Sequence, residues 1–447
     1  MAGEVVSLHV GQAGVQIGWE YWRRLTMEHG IEPNGTVKPI PDDAFVAERK
    51  DTFFSEDDHG LFMPRALFID LEPSTINQVD SAAPLLYNPD NLLRGIDGDM
   101  SGAGNNWAEG YYRGEKYEDL FLDMIRKEVS FADSVSTIQM THSIAGGTGS
   151  GLGSFLLEKL RDEYRKVPVV SWSVFPHKSD VIVQPYNCVL ALQHLIDYAD
   201  ATVVLGNEAI SRMSSEAAAE GMPRTFNNGV IAEAMSLTTT PPRFPSWGPG
   251  GDMAQTFSLL TPEPMLHFLV PSITPLPTGY RAGTRITSMT NALSALMQPD
   301  SRLVDLQSAG RLISSVAHIQ GNVKQTDVAP ALAALKSDRH FPRPVDWCMS
   351  TVIPQHVATS PFVTPRARTV GCMLTNSTGV RHAFSGIVSG FDTMFDRKGF
   401  LHHFGGDEKK WSLEEAGEAL SCAAMSVKDL CAEYEKAEGS DYLDIGY

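Results

Sequence analysis

The segment that most constrains the fold is the glycine-rich run at residues 146–151, Gly-Gly-Thr-Gly-Ser-Gly. Four glycines in six residues leave the backbone free of side chains and able to take up positive φ angles. Its N–H groups can therefore wrap around an anion, and a helix that begins just after it would add its positive end. Thr148 and Ser150 add hydroxyl donors. The run predicts a phosphate cradle, since a plain turn needs one glycine rather than four.

Short apolar runs alternate with helical patterns through the first half of the chain. The pattern predicts strands at residues 4–10, 66–70, 135–141, 167–174 and 201–205. It predicts helices at about 12–29, from the glycine-rich run to about 165, and at 186–198. Strands and helices that alternate at this spacing indicate an α/β fold with a doubly wound parallel sheet. Ligands of such a sheet bind at the carboxyl ends of its strands.

Three of the known phosphate and nucleophile motifs are absent around the glycine-rich run. The Walker pattern fails because the loop contains no lysine. A dinucleotide site would place an acid after the next strand, but residues 175–177 read Phe-Pro-His. A nucleophile elbow also fails, because Ser150 is flanked directly by Gly149 and Gly151. His142 beside Ser143 predicts packing and a phosphate contact rather than a nucleophile pair.

The second half of the chain has a different pattern. Residues 210–260 are predicted to be mostly helical, with interruptions at 240–242 and 247–251. Strand-like runs at 265–271, 312–319 and 369–374 predict a second, α+β domain. The part from about residue 377 is predicted to be helical. We therefore expect a nucleotide-binding domain at 1–208, an intermediate α+β domain at 209–376 and a C-terminal helical region at 377–447.

The last predicted helix carries both a start signal and one apolar face. Ser412 and Glu415 have the spacing of a capping box. Apolar residues then recur on one helical face, at Leu413, Ala416, Leu420, Ala423, Val427, Leu430 and Tyr434. Such a face usually packs against the body of the protein.

Composition excludes several classes of function. Acidic residues outnumber basic ones by 54 to 36, so the net charge of −18 argues against a nucleic-acid binder, which needs a basic face. Five cysteines without a CxxC pair support neither a zinc site nor a disulfide framework. No apolar run reaches the ~18 residues of a membrane span, and the first residues do not resemble a signal peptide.

The glycine-rich run and a series of other segments together resemble the tubulins and the related bacterial cell-division GTPases. The segments occur in the family's order along nearly the whole chain. They are HVGQAGVQIG at 9–18, IDLEP at 69–73, GAGNNW at 102–107, VQPYN at 183–187, GNEAI at 206–210, PEPMLHF at 262–268, VDWC at 345–348, CMLTN at 372–376 and FDTMFDRKGFLHHF at 391–404. The resemblance implies the tubulin-like fold and a bound guanine nucleotide, GTP or GDP, with Mg²⁺.

The resemblance also implies roles for individual residues. The first loop would contact the nucleotide through Gln12 and Ala13, with Gln16 near the base. Gly104 and Asn105 would contact the γ-phosphate. The signature loop would contact the phosphates through Ser143, Ala145, Gly146, Gly147, Thr148 and Gly149. Asp70 and Glu72 would hold Mg²⁺ indirectly, because this ion keeps several waters and takes few carboxylates.

The ribose and base contacts carry the first departure from the family. The resemblance implies Asp180 and Gln184 at the ribose, and Asn207 and Asn228 at the guanine edge or ribose. The aromatic residue that stacks on the base should lie four residues before Asn228, where this chain has Arg224. Phe226 lies two residues before Asn228. Either Arg224 stacks its guanidinium plane on the base, or Phe226 replaces the aromatic ring.

The second departure concerns hydrolysis. In the family, an Asn-x-Asp-x-x-acid loop of one subunit contacts the nucleotide of the next, and the acid positions the attacking water. This chain has Gly250, Asp252 and Gln255 at those three positions. A neutral amide orients a water but is not a base near neutral pH. The sequence therefore predicts weak or absent GTP hydrolysis, and we assign no catalytic residue.

The remaining segments indicate a minor tubulin rather than an α or β type. FFSEDDHG at 53–60, MIRKEVSFADS at 124–134 and DVIVQPYN at 180–187 are similar to the δ/ζ type. GEKYEDLF at 114–121 and HGIEPNG at 29–35 are closer to the γ type. The first similarity implies a GTP-binding component of centrioles or basal bodies, and the second a nucleator at the microtubule-organising centre. Both imply a cytoplasmic, cytoskeletal protein whose partners are other tubulin-family subunits and microtubule-associated assemblies, without nucleic acid or membrane.

Overall fold

The structure is a computed structural model that describes residues 3–39, 48–96, 101–176, 181–219, 226–244, 251–275, 286, 288–321, 323–338, 340–348, 352–363, 369–406 and 411–442. The strands are β1 (Glu4–Val10), β2 (Phe54–Glu56), β3 (Phe62–Pro64), β4 (Ala66–Asp70), β5 (Leu92–Arg94), β6 (Val135–Ser143), β7 (Val169–Phe175), β8 (Ala201–Gly206), β9 (Phe268–Thr274), β10 (Leu312–Gly321), β11 (Val352–Val357) and β12 (Thr369–Ser377).

The helices lie between and after these strands. They are α1 (Gly11–Glu28), α2 (Pro73–Ala82), α3 (Trp107–Lys116), α4 (Glu118–Ser130), α5 (Gly153–Glu163), α6 (Gln184–Tyr198), α7 (Asn207–Ala219), α8 (Phe226–Arg243), α9 (Met253–Leu260), α10 (Met289–Met297), α11 (Val328–Leu335), α12 (Arg381–Phe395) and α13 (Leu413–Lys436). A π-helical turn over Thr148–Leu152 precedes α5.

One ten-stranded sheet runs through the molecule in the order β11-β10-β12-β9-β8-β7-β6-β1-β4-β5. The strands from β5 to β9 are parallel, and β12 pairs antiparallel with both β9 and β10. The strands β2 and β3 form a separate antiparallel pair. The predicted α/β fold with a doubly wound parallel sheet is confirmed. The second set of strands extends that sheet rather than forming a separate one.

Helices cover both faces of the sheet and enclose two main cores. The helices α1, α2, α7, α8 and α9 pack on one face. The helices α3 to α6 pack on the other face, together with α12 and α13. A third, smaller core lies under α10 and α11. Because both faces are covered, the central strands are buried along most of their length, and their polar residues, such as Gln139 and His142, are buried as well.

The C-terminal helix follows its sequence pattern with one exception. The Ser412 hydroxyl accepts from the N–H of Glu415 at 3.2 Å, and the Glu415 carboxylate accepts from the N–H of Ser412 at 2.7 Å. The predicted capping box is therefore confirmed. The apolar face is buried from Ala416 to Tyr434, whereas Leu413 is 50% exposed. Leu413 is the first helical residue, one turn before the face meets the body, so its inclusion in the buried face was wrong.

The predicted interruption at 240–242 was also wrong, because α8 continues to Arg243. Pro241 and Pro242 fall in its last turn, where they lack the N–H groups that would bond the carbonyls one turn earlier, and the helix ends at the next residue. The buried Arg243 guanidinium donates to the carbonyl oxygens of Ser236 at 2.8 Å and Thr239 at 3.2 Å. It also pairs with Glu28 of α1 at 2.8 Å. The second predicted interruption, at 247–251, falls mostly on residues 245–250, which lie outside the described residues.

Candidate nucleotide site

Loops after three parallel strands meet at one edge of the sheet and enclose a cavity of about 280 Å³. The predicted site residues that line it are Gln12, Ala13, Asp70, Glu72, Gly104, Asn105, Ser143, Gly146, Gly147, Thr148 and Gly149. Val10, Gly11, Ser101, Gly102 and Ala103 also line it and were missing from the prediction, although each adjoins a predicted residue or its loop. Ala145 is not among the lining residues.

Close backbone approach explains why glycine is needed at two of these positions. A Cβ on Gly147 would lie 2.7 Å from the Ala103 Cβ and 2.8 Å from the Asn106 nitrogen. A Cβ on Gly11, whose φ is +71°, would lie 2.7 Å from the Gly149 nitrogen. These contacts bring three loops together with only backbone between them. At these positions the cavity wall is backbone rather than side chain, which is what a phosphate cradle built from N–H groups requires.

His142 supports the glycine-rich loop from beneath. The buried imidazole bonds the Gly149 carbonyl through Nδ1 at 2.7 Å, and Nε2 lies 3.0 Å and 2.9 Å from the hydroxyls of Ser171 and Ser173. Burial lowers the pKa of His142 to about 4, so the ring is neutral near pH 7. Since the carbonyl is an acceptor, Nδ1 donates and Nε2 accepts. The predicted packing role is confirmed, and the phosphate contact stays a prediction because His142 does not line the cavity.

Asp70 and Glu72 lie at the cavity wall with opposite exposure. Asp70 is buried and Glu72 is exposed. Burial, with a smaller effect of the nearby Glu72 charge, raises the pKa of Asp70 to about 6, against the lowering effect of hydrogen bonds from backbone N–H groups and the Thr148 hydroxyl. A cation at the wall would stabilise both ionised carboxylates. The two oxygen donors suit Mg²⁺, which binds few carboxylates and keeps its other waters.

Asn187 is a buried residue of this region that the sequence did not single out. Its Nδ2 donates to the carbonyl oxygens of Asn105 at 2.7 Å and Ala145 at 2.9 Å. Its Oδ1 accepts from the N–H of Trp107 at 2.9 Å. Asn187 is the last residue of the segment VQPYN, but nothing in that segment predicts that its side chain links two loops.

Asn106 links the same loop to the C-terminal part of the chain. Its Oδ1 accepts from the N–H of Ala108 at 2.9 Å and so caps α3. Its Nδ2 donates to the His403 carbonyl at 2.6 Å. The loop that carries Gly104 and Asn105 is therefore fixed on both sides.

The predicted ribose and base residues lie on four helices. Gln16 lies on α1, Gln184 begins α6, Asn207 begins α7 and Asn228 lies in the first turn of α8. None of them lines the cavity. Asp180 and Arg224 lie outside the described residues, and Phe226 begins α8 with a side chain that is not described. The choice between Arg224 and Phe226 therefore stays open.

Asp252 and Gln255 lie at α9, apart from the cavity. The Asp252 carboxylate accepts from the N–H of Ala254 at 3.3 Å and caps the helix. Gln255 is exposed. The helix α9 therefore carries a neutral amide on the surface of the molecule, and its residues do not line the cavity of the same chain.

Two negative findings bear on the class of protein. No helix in the described part of the chain is both long and apolar enough to cross a membrane. Nowhere in those same ranges do three His, Cys, Asp or Glu side chains gather as a metal site. The pair Asp70 and Glu72 remains the candidate for a metal held through water.

A backbone-lined cradle at the carboxyl edge of a parallel sheet, followed by further strands and two covering helices, defines a two-part nucleotide-binding protein. Comparison with protein families gives the particular class. Residues 4–215 match the GTPase domain of the Tubulin/FtsZ family, and residues 264–389 match the tubulin C-terminal domain. The chain belongs to the tubulin family.

Proposed function

We propose that this chain is a minor tubulin of the δ/ζ type that binds GTP or GDP with Mg²⁺ and serves as a structural component of centrioles or basal bodies, with weak or absent hydrolysis. The observation that carries the proposal is the exposed Gln255 on α9, where the family's catalytic acid would be. A scaffold gains from a joint between subunits that does not weaken as its nucleotide is hydrolysed.

The cavity supports nucleotide binding. Its wall combines backbone N–H groups, the Thr148 hydroxyl and two carboxylates that suit a water-bound Mg²⁺. The membership of the chain in a GTP-binding family supports guanine over adenine. We assign the γ-phosphate to Gly104 and Asn105, and the remaining phosphates to the loop from Ser143 to Gly149. We assign the contacts to the ribose and the base to Gln16, Asp180, Gln184, Asn207 and Asn228. Either Arg224 or Phe226 would stack against the base.

The domain division at 1–208, 209–376 and 377–447 is part of the proposal. The first unit would bind the nucleotide, and the second would carry α9 towards the nucleotide of a neighbouring tubulin-family subunit. Such a head-to-tail contact is heterologous and can propagate. The Asp252 carboxylate is engaged in capping α9, so it is poorly placed to replace the missing acid.

The first experiment measures the nucleotide itself. We expect purified protein to release guanine nucleotide on denaturation, and to bind GTP with Mg²⁺ more tightly than ATP. Thr148→Val keeps the shape but removes the hydroxyl that faces Asp70, so we expect GTP affinity to fall about tenfold. Protein that carries no nucleotide and binds ATP and GTP equally would contradict the proposal.

A second candidate function rests on the two γ-like segments, which are 29–35 and 114–121. In this alternative the protein nucleates microtubules at the organising centre. The two functions separate in one assay, because a nucleator shortens the lag of microtubule assembly at substoichiometric amounts. We expect no shortening, together with localisation at centrioles or basal bodies in cells. Shortening of the lag with localisation at the organising centre would favour the γ-type function.

A further inference from the structure

The side chain of Asn187 joins the two loops to which we assign the phosphates. It is completely buried, and its amide nitrogen donates to the Asn105 carbonyl at 2.7 Å and the Ala145 carbonyl at 2.9 Å. Its amide oxygen accepts from the first N–H of α3, on Trp107, at 2.9 Å. Three of the four hydrogen-bonding positions of the amide are therefore used at the boundary between these loops.

The backbone of Asn105 shows where such a restraint acts. Its φ is +54°, in the left-handed region that asparagine adopts more readily than most residues with a side chain. The residue is exposed, so packing does not hold it there. The neighbouring Gly104 also has a φ of +54°, and a Cβ added to it would meet no atom within 4 Å. The hydrogen bond from Asn187 therefore restrains the Asn105 peptide, together with the bonds that hold the next residue, Asn106, to Ala103 and His403.

We propose that Asn187 is a positioning residue that sets the preference for a nucleoside triphosphate over a diphosphate. It fixes the distance between the loop at 104–105 and the loop at 143–149, without lining the cavity itself. Freeing the first loop removes the pre-ordered contact to the γ-phosphate. The contacts to the other phosphates depend on the second loop, which would lose the bond from Asn187 to Ala145 but keep the bond from His142 to Gly149. The inference rests on the proposed binding of GTP.

The test compares two variants of matched size. Asn187→Leu removes all three hydrogen bonds without adding charge near the phosphates. Asn376→Leu is the matched control, because Asn376 is also completely buried and its amide nitrogen bonds two carbonyls, those of Leu260 at 2.9 Å and Leu266 at 2.5 Å. Asn376 is remote from the cavity. Both variants leave buried carbonyls unpaired, so both should lower stability by a similar amount.

The measurement is competition of GTP and of GDP against a labelled guanine nucleotide on the full-length protein. For Asn187→Leu we expect GTP affinity to fall about tenfold and GDP affinity to change less than about twofold, so the GTP-to-GDP preference falls. For Asn376→Leu we expect the preference to match that of the unmodified protein. If Asn187→Leu does not fold, Asn187→Ala leaves room for a water between the two carbonyls and should show a smaller shift in the same direction.

Equal losses for GTP and GDP, or an unchanged preference in a folded Asn187 variant, would overturn the positioning role. A shift of the same size in Asn376→Leu would do so as well, because it would trace the effect to general destabilisation. Failure of the unmodified protein to bind either guanine nucleotide is a separate outcome, and it would contradict the proposed function instead.

Discussion

The phosphate edge of the sheet and the outer helix α9 are built in opposite ways. The phosphate edge is formed by several loops of the same chain, and buried side chains such as His142 and Asn187 support it from within. At the surface of α9, one exposed side chain, Gln255, stands where the family has its acid, while the Asp252 carboxylate caps the helix. Under the proposed function, nucleotide binding would therefore depend on several buried supports inside the molecule, whereas hydrolysis in a neighbouring subunit would depend on a single surface position.

Under the proposed function, this difference would allow hydrolysis to be lost without loss of the fold or of nucleotide binding. A change at the phosphate edge disturbs close backbone contacts and buried hydrogen bonds. A change at Gln255 disturbs no core packing, since the residue lies on the exposed side of α9. The following predictions test the comparison from its strongest consequence to its weakest.

The largest effect is expected at Gly147. Gly147→Asp places a Cβ at 2.7 Å from the Ala103 Cβ and adds a negative charge against the phosphates. We expect GTP affinity to fall on the order of 10³-fold, measured by competition binding. Gly386→Ala is the control, because a Cβ there meets no atom within 4 Å and the residue lies on α12, outside the cavity lining. Its affinity should stay within about threefold, and equal losses in both variants would contradict the steric argument.

The next effect is expected at α9. Gln255→Glu restores a carboxylate that can assist the attack of water on the nucleotide of the neighbour. General-base assistance is worth ~10²–10⁴-fold, so we expect assembly-dependent GTP turnover to rise about 10²-fold, with nucleotide affinity unchanged. Phosphate release during assembly measures this turnover.

Ser258→Glu provides the control for that variant. It adds the same charge at another exposed position, one turn along the same helix, where it should leave turnover unchanged. Rapid assembly-stimulated hydrolysis by the unmodified protein would show that Gln255 does not limit the reaction. An unaffected rate in Gln255→Glu would point to Gly250, the position where the family has asparagine, as a second requirement.

The smallest effect concerns stability, because the buried, ionised Asp70 carboxylate lowers the free energy of unfolding. Burial raises the pKa of Asp70 from 3.8 to about 6, so the folded protein holds this proton more tightly than the unfolded chain. The protonated Asp70 carboxyl therefore contributes to the free energy of unfolding below about pH 4, and this contribution is lost as the pH rises through about 6. Without metal, Asp70→Asn should therefore raise the free energy of unfolding by about 2 kcal/mol at pH 7.5 and by less than half of that at pH 4.5.

Urea denaturation in EDTA at the two pH values measures that difference. Added Mg²⁺ and GTP should reverse the order at pH 7.5, because the unmodified carboxylate gains a cation and the amide does not. A gain in Asp70→Asn that is equal at both pH values would show that the ionised carboxyl is not the source of the cost.

The sequence predicted which loops meet at this edge of the sheet because the signal there is local, and the contacts of these loops with phosphate stay a prediction. Each loop follows a strand, and parallel strands deliver their carboxyl ends to the same edge, so residues such as Gln12, Asp70 and Thr148 had to meet. The bounds of β1 and β4 were predicted to the residue because apolar runs end sharply at Gly11 and Asp70.

The sequence could not predict features that depend on distant contacts. Asn187 acquires its role from residues 105, 107 and 145, and no local pattern encodes that meeting. The continuation of α8 through Pro241 and Pro242 depends on the buried position of Arg243 beside Glu28. Leu413 fits the helical period but lies beyond the surface on which α13 packs.

The continuous sheet has a mechanical consequence at the joint between its two halves. β8 and β9 pair through two residues each, Thr202 with Phe268 and Val203 with Leu269, which is the shortest ladder of the large sheet over the ranges described. The ladders on either side, β7 with β8 and β9 with β12, each hold six pairs. We therefore expect a bending load on the subunit to deform the sheet mainly between β8 and β9, where the ladder is shortest. The strands on either side of this joint should move as two more rigid halves.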